Sequence, residues 1–201
     1  MSDKHAYLVE SVYHTRPSHH LCDTLQEALS TASVDLDAWI VIDDTNPRYD
    51  PADKARIRSL LDEKRYAQAV EEWNQLFPAQ PVAIHEVAVT ERNCHHSYPT
   101  ITEGVWYVVE RDSGEYEQDH CLDTGLNQAL ESVRHYMTHP PCNCGKATWK
   151  KVGRLLRLGK IADAMDAWNQ GKNSDPTFAI HQIRLVRANC QQGSRINCSL
   201  N

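Results

Sequence analysis

The stretch Ala67-Gln68-Ala69-Val70-Glu71-Glu72-Trp73-Asn74-Gln75 returns as Ala162-Asp163-Ala164-Met165-Asp166-Ala167-Trp168-Asn169-Gln170. In each stretch an alanine stands four residues before the tryptophan, so both lie on one helical face. A Leu-Leu pair precedes each, Leu60-Leu61 and Leu155-Leu156. An apolar stripe with small residues at the closest approach predicts an αα-hairpin.

The recurrence extends outward in both directions. Ala6-Tyr7-Leu8-Val9-Glu10 matches Trp106-Tyr107-Val108-Val109-Glu110, His20 matches His120, and Asp23-Thr24 matches Asp123-Thr124. Ala28-Leu29 matches Ala129-Leu130, Ala83-Ile84-His85 matches Ala179-Ile180-His181, and Asn93-Cys94 matches Asn189-Cys190. One fold written twice is the expectation, with a first α+β repeat at 1–98 and a second at 99–201.

Local signals predict the elements of each repeat. Residues 7–13 and 105–110 read as strands, each followed by a polar loop. Asp23 or Thr24 is expected to cap a helix reaching Ala32, and Asp123 or Thr124 one reaching Thr138. The apolar run Trp39-Ile40-Val41-Ile42 reads as an extra strand in the first repeat only, closed by Asp43-Asp44-Thr45-Asn46-Pro47. Helices are predicted over 51–63 and 66–77, and over 146–158 and 161–170. Gly159 suits the left-handed end of its helix, and Lys64 takes the corresponding place at a small cost. Residues 83–90 and 179–187 alternate as strands, with His85, Val87 and Val89 on the inward face, and likewise His181, Ile183 and Leu185. The fold class expected is α+β: a tandem duplication of a strand-helix-(strand)-helical hairpin-strand unit. Antiparallel or mixed sheets are covered by helices, and the two units are related by a pseudo-twofold axis.

Composition sets the broad class. The 201-residue chain is 41% hydrophobic and 24% charged, and no apolar run approaches the roughly 20 residues that cross a bilayer. No membrane association is expected, and without a signal-peptide core the expected location is cytoplasmic. The seven cysteines, an odd number, then read as free thiols, with zinc as their main rival. The net charge of −6 is unevenly spread, because Lys and Arg outnumber Asp and Glu by 10 to 3 from Lys146 onward.

Four groups of residues carry candidate chemistry. His85 and His181 are repeat-equivalent polar residues on a strand face, where a buried imidazole needs a hydrogen-bonding partner. His135, His139, Cys142 and Cys144 gather donors suited to zinc, although Cys-x-Cys gives an awkward bite. Cys94-His95-His96 brings a thiol and two imidazoles together, but a nucleophile would also need a base and a lowered thiol pKa. Lys146, Lys150, Lys151, Arg154, Arg157 and Lys160 form a basic face, opposite Trp149, Val152, Leu155 and Leu156. No phosphate loop, nucleophile elbow or His-Glu-x-x-His motif is present.

These features point to a non-enzymatic protein-binding accessory module, an inhibitor or adaptor of bacterial or mobile-element origin, that uses two related surfaces and needs no cofactor. Nucleic-acid binding through the basic helical hairpin is one alternative, and a zinc-stabilised module is another.

Overall fold

The computed structural model describes residues 4–13, 16–42, 50–97, 104–112, 119–139 and 144–190. Among the described residues, six strands and six α-helices make it a mixed α+β protein. In chain order they are β1 (Lys4–Tyr13), β2 (Arg16–Cys22), α1 (Leu25–Ile42), α2 (Pro51–Asp62), α3 (Tyr66–Leu76) and β3 (Val82–Glu91). A short 3-10 turn (Cys94–His96) follows, then β4 (Val105–Asp112), β5 (Asp119–Asp123), α4 (Leu126–Thr138), α5 (Lys146–Arg157), α6 (Ile161–Asn169) and β6 (Thr177–Arg187). No helix among the described residues is long and apolar enough to cross a membrane.

The described residues group into two units, an N-terminal one of His5–Ala88 with 185–190 and a C-terminal one of Lys4 with Val89–Arg184. The divisions fall inside β3 and β6. In the N-terminal unit β1 runs between β2 and β3. It pairs with β2 antiparallel, in a register that sets Leu8 against Leu21 and Glu10 against His19. In the C-terminal unit β4 is central, antiparallel to β5 with Glu110 against His120, and antiparallel to β6 with Val109 against Ile180.

Two apolar cores result. Val9, Ala28, Leu36, Ile57, Trp73 and Ile84 belong to one, and Val109, Ala129, Met137, Val152, Trp168 and Ile180 to the other.

Trp39-Ile40-Val41-Ile42 is not a strand but the last turn of α1. Ala28, Ala32, Leu36, Trp39 and Ile40 are all buried, at spacings of three and four. That helical period outlasts the β-branched composition of the run, and Val41, off the stripe, is 58% exposed. The polar segments read as loops are instead strands β2 and β5, whose pairing with β1 and β4 outweighs their poor strand composition. Each unit therefore reads strand-strand-helix-helical hairpin-strand.

The repeated Asp-Thr pairs also part company. Thr24 Oγ1 accepts from the Glu27 amide at 3.1 Å, and Glu27 Oε2 accepts from the Asp23 amide at 2.9 Å, in the manner of a capping box. The N-cap of α4 is Gly125, with no side-chain cap, and Asp123 instead accepts from Ser132 Oγ at 3.0 Å. The equivalent contact in the N-terminal unit joins Cys22 Sγ and Thr31 Oγ1 at 3.6 Å. Structurally, Cys22 corresponds to Asp123 and His19 to His120, one residue out of step with the alignment of identical letters.

Both helical hairpins turn through the same motif. Lys64 has φ 58° and Gly159 φ 70°. The Arg65 amide donates to Leu60 O at 2.9 Å and the Lys160 amide to Leu155 O at 3.0 Å, the long bond of a Schellman closure. Lys64→Gly should stabilise the protein by about 0.5 kcal/mol: relief of left-handed strain, ~1–2 kcal/mol, is partly offset by the freer unfolded chain. Urea denaturation checks this, and a lowered midpoint would count against strain at Lys64.

The Trp-Asn dipeptide has one use in both units. Trp73 Nε1 donates to Gln80 O and Trp168 Nε1 to Pro176 O, each at 2.7 Å. Asn74 donates to Val82 O at 2.7 Å and accepts from the Val82 amide at 2.8 Å. Asn169 makes the same two bonds to Phe178, at 2.6 and 2.9 Å. A carboxamide offers one donor and one acceptor side by side, so it extends the backbone pairing of a strand by one rung.

On the last strand of each unit both faces are buried, the one read as inward included. Val82 and Ile84 on β3, and Phe178 and Ile180 on β6, belong to the apolar cores beneath the helices. The alternate face is buried as well, at Val87, Val89, His181 and Ile183. With both faces buried, alternation no longer tells which one meets the helices.

Candidate functional site

The repeat-equivalent histidines each meet a glutamate of the neighbouring strand. His181 Nε2 lies 2.8 Å from Glu110 Oε2, and His85 Nε2 lies 3.4 Å from Glu10 Oε2. The hydrogen bond from His85 holds the Glu10 carboxyl below its ordinary pKa; burial opposes this, and the charges of His19 and His85 add to it. In each pair the glutamate meets Nε2, whereas the buried Nδ1 of both rings has no hydrogen-bond partner among the described residues.

Cys94 is fully enclosed in the core of the C-terminal unit. Burial, with the nearby charge of Glu91, pushes its thiol pKa up to about 11, so the thiolate needed for attack is scarce at neutral pH. Cys22, Cys94, Cys121, Cys144 and Cys190 are free thiols.

Of the sequence-derived zinc donors, His135 and His139 stack at the end of α4 with ring centroids 4.0 Å apart. The His139 Nδ1 already lies 2.9 Å from the His135 carbonyl. These rings line an open groove of about 590 Å³ with Glu131, Arg134, Leu156 and Arg157. Cys144 packs against the core instead, and Cys142 lies outside the described residues.

A different set of donors does converge. Asn93, with φ 53°, turns the chain out of β3 into the short turn that carries His95 and His96. His95 Nε2 lies 2.9 Å from Asp166 Oδ1, and His96 Nε2 lies 2.7 Å from Asp166 Oδ2. The two rings are 4.7 Å apart, and one donor atom from each of the three residues falls within 4.8 Å of the others. Burial pushes the Asp166 carboxyl up, but the hydrogen bonds from His96 and His95 and the charge of both rings together hold it below its ordinary pKa. His95 is largely buried at 11% side-chain exposure, whereas His96 at 53% and Asp166 at 41% face solvent. Sequence reasoning singled out His95-His96 but missed Asp166, because the separation of 70 residues hides the contact.

The basic face is present as expected on α5. Lys146, Lys150, Lys151, Arg154 and Arg157 are exposed, and at 100° per residue they occupy roughly 140° of the helix circumference. None forms an ion pair among the described residues, while Lys160, just past the helix, lies 3.6 Å from Asp163. The helix contains no acidic residue. Trp149 departs from expectation: it is 49% exposed and borders the basic arc, its ring edge-on to buried Trp168 at 6.3 Å. The corresponding helix α2 mixes Asp53 and Asp62 with Arg56 and Arg58, and Arg56 pairs with Glu72 at 2.6 Å.

No protein-family model, curated protein or solved structure matches the chain.

Proposed function

We propose that the chain is a non-enzymatic, cytoplasmic binding module that meets an acidic patch on a partner protein through α5. The row of five cations on α5 that form no ion pair among the described residues, bordered by the half-exposed Trp149, carries this reading. Cations without internal counter-charges project their field into solvent and steer an acidic partner, and a rigid aromatic beside them supplies an anchor. The net charge of −6 opposes approach to a long polyanion, which favours a localised acidic patch on a protein.

The proposal includes descent of both units from one ancestral unit, related by a pseudo-twofold axis. The identical Trp and Asn bonds and the identical hairpin turns support it. The two helix surfaces then differ in charge, mixed on α2 and wholly basic on α5, so a partner is held in one orientation. An inhibitor or adaptor of bacterial or mobile-element origin fits such a small, two-unit binder.

Nucleic-acid binding is the second reading, favoured by the absence of any acidic residue on α5. Capture from the native host with wild-type and Lys150→Glu/Arg154→Glu protein, with and without nuclease, separates the two. A partner protein that resists nuclease and binds the double variant at least ~10-fold more weakly, as expected for charge reversal at a steering surface, supports the first reading. Retained nucleic acid supports the second, if affinity falls on the order of 500-fold between about 50 and 200 mM salt, as five phosphate contacts imply. Capture unchanged by the reversals defeats both.

A further inference from the structure

We propose that His95, His96 and Asp166 form a binding site for a divalent transition-metal ion, zinc in the first instance, with at least one coordination position open to water. The inference does not depend on the reading of α5.

The geometry is close to what such an ion requires. Both Nε2 atoms already converge on the two oxygens of one carboxylate, at 2.9 and 2.7 Å. In a tetrahedral zinc site with ligand bonds of about 2.0–2.2 Å, neighbouring donors stand roughly 3.3–3.5 Å apart. The two nitrogen–oxygen distances therefore have to lengthen by well under about 1 Å, and one donor atom of each residue already lies within 4.8 Å of the others. The buried Nδ1 of His95 has no partner among the described residues, so it is free to carry the ring proton when the metal replaces the Nε2–H bond to Asp166.

The donor set selects the ion. Two imidazoles and one carboxylate suit zinc and its first-row neighbours, whereas magnesium and calcium prefer oxygen ligands alone. Cys94 precedes His95 directly but is turned into the core, so no thiolate joins the set. Three protein donors, two of them facing solvent, make an open site of the kind that leaves room for water or an exogenous ligand, unlike a closed structural site. Binding requires neutral imidazoles and an ionised carboxylate.

The test uses the full chain without a histidine tag, freed of metal by chelation and titrated with Zn²⁺ against a chromophoric competitor. One equivalent is expected to bind, and His96→Ala and Asp166→Asn should each weaken it by at least ~10-fold, since each removes a direct ligand. The double variant His135→Ala/His139→Ala should bind as the wild type does. Co²⁺ in place of zinc should give visible ligand-field bands without thiolate charge transfer. His96 is exposed, so its alanine variant should keep the metal-free melting temperature and decide the matter if Asp166→Asn fails to fold. Absence of stoichiometric binding overturns the proposal. So does binding unaffected by His96→Ala, or binding abolished by the His135/His139 variant, which would place the ion in the α4 groove.

Discussion

Trp168→Ala is expected to lower the free energy of unfolding by about 3–5 kcal/mol, the usual range for deleting a buried large aromatic. The indole is wholly inaccessible to solvent, and its ring centroid lies 6.1 Å from that of Phe178. Truncation removes the contact area and leaves a cavity that α5 and α6 can close only in part. It also strips the Pro176 carbonyl of its donor, a bond of 2.7 Å. Trp168→Phe separates the two contributions: most of the volume returns without the N–H, and a loss of about 1–3 kcal/mol should remain. Denaturant unfolding followed by far-UV circular dichroism measures both. A loss under about 1 kcal/mol for the alanine variant would mean that the packing at this position is not what holds α6 in place.

The second large effect is expected at the asparagines. Asn169→Leu leaves the amide and carbonyl of Phe178 without their side-chain partner, and Asn74→Leu does the same to Val82. An unsatisfied buried polar group costs about 1–3 kcal/mol, so two partly buried ones together should cost about 2–4 kcal/mol. Leucine has nearly the same volume, which keeps the comparison from becoming one of cavities. Asn169→Asp retains the acceptor for the Phe178 amide but sets a carboxylate against the carbonyl, and should be no milder. Amide hydrogen exchange localises the effect: protection at Phe178 should fall in Asn169→Leu and protection at Val82 in Asn74→Leu. Unchanged protection at both amides would show that the carboxamide is not the latch at the start of these strands.

Much of this fold was legible because the residues that repeat are those with geometric duties no other residue performs as well. Tryptophan fills the space under a hairpin and still donates a hydrogen bond. Asparagine completes a strand end at 74 and 169, and adopts left-handed backbone at 93 and 189. What escaped notice was set by tertiary context. Strands β2 and β5 have no apolar alternation of their own and exist through pairing. The end of α1 has strand-like composition and is held helical by the buried stripe that Trp39 and Ile40 complete.

The candidate sites divide in the same way. The basic arc of α5 is a property of twelve consecutive residues and could be read directly. The exposure of Trp149 could not, because it depends on how far the first turn of α5 reaches past Trp168. The meeting of His95 and His96 with Asp166 joins a turn to a helix remote in sequence, and the only local hint was the pair of adjacent imidazoles. Cys94 shows the converse: its neighbours suggested reactivity, and its burial removes it.

Three of the tryptophans give the chain two unlike kinds of optical probe. Trp73 and Trp168 sit in dry surroundings with their N–H groups bound to carbonyls, so their emission follows the integrity of the two cores. Trp149 stands half in water beside the lysines and arginines of α5, and its emission follows whatever comes to rest on that helix. Light from the folded protein thus responds both to unfolding and to docking, without any attached dye.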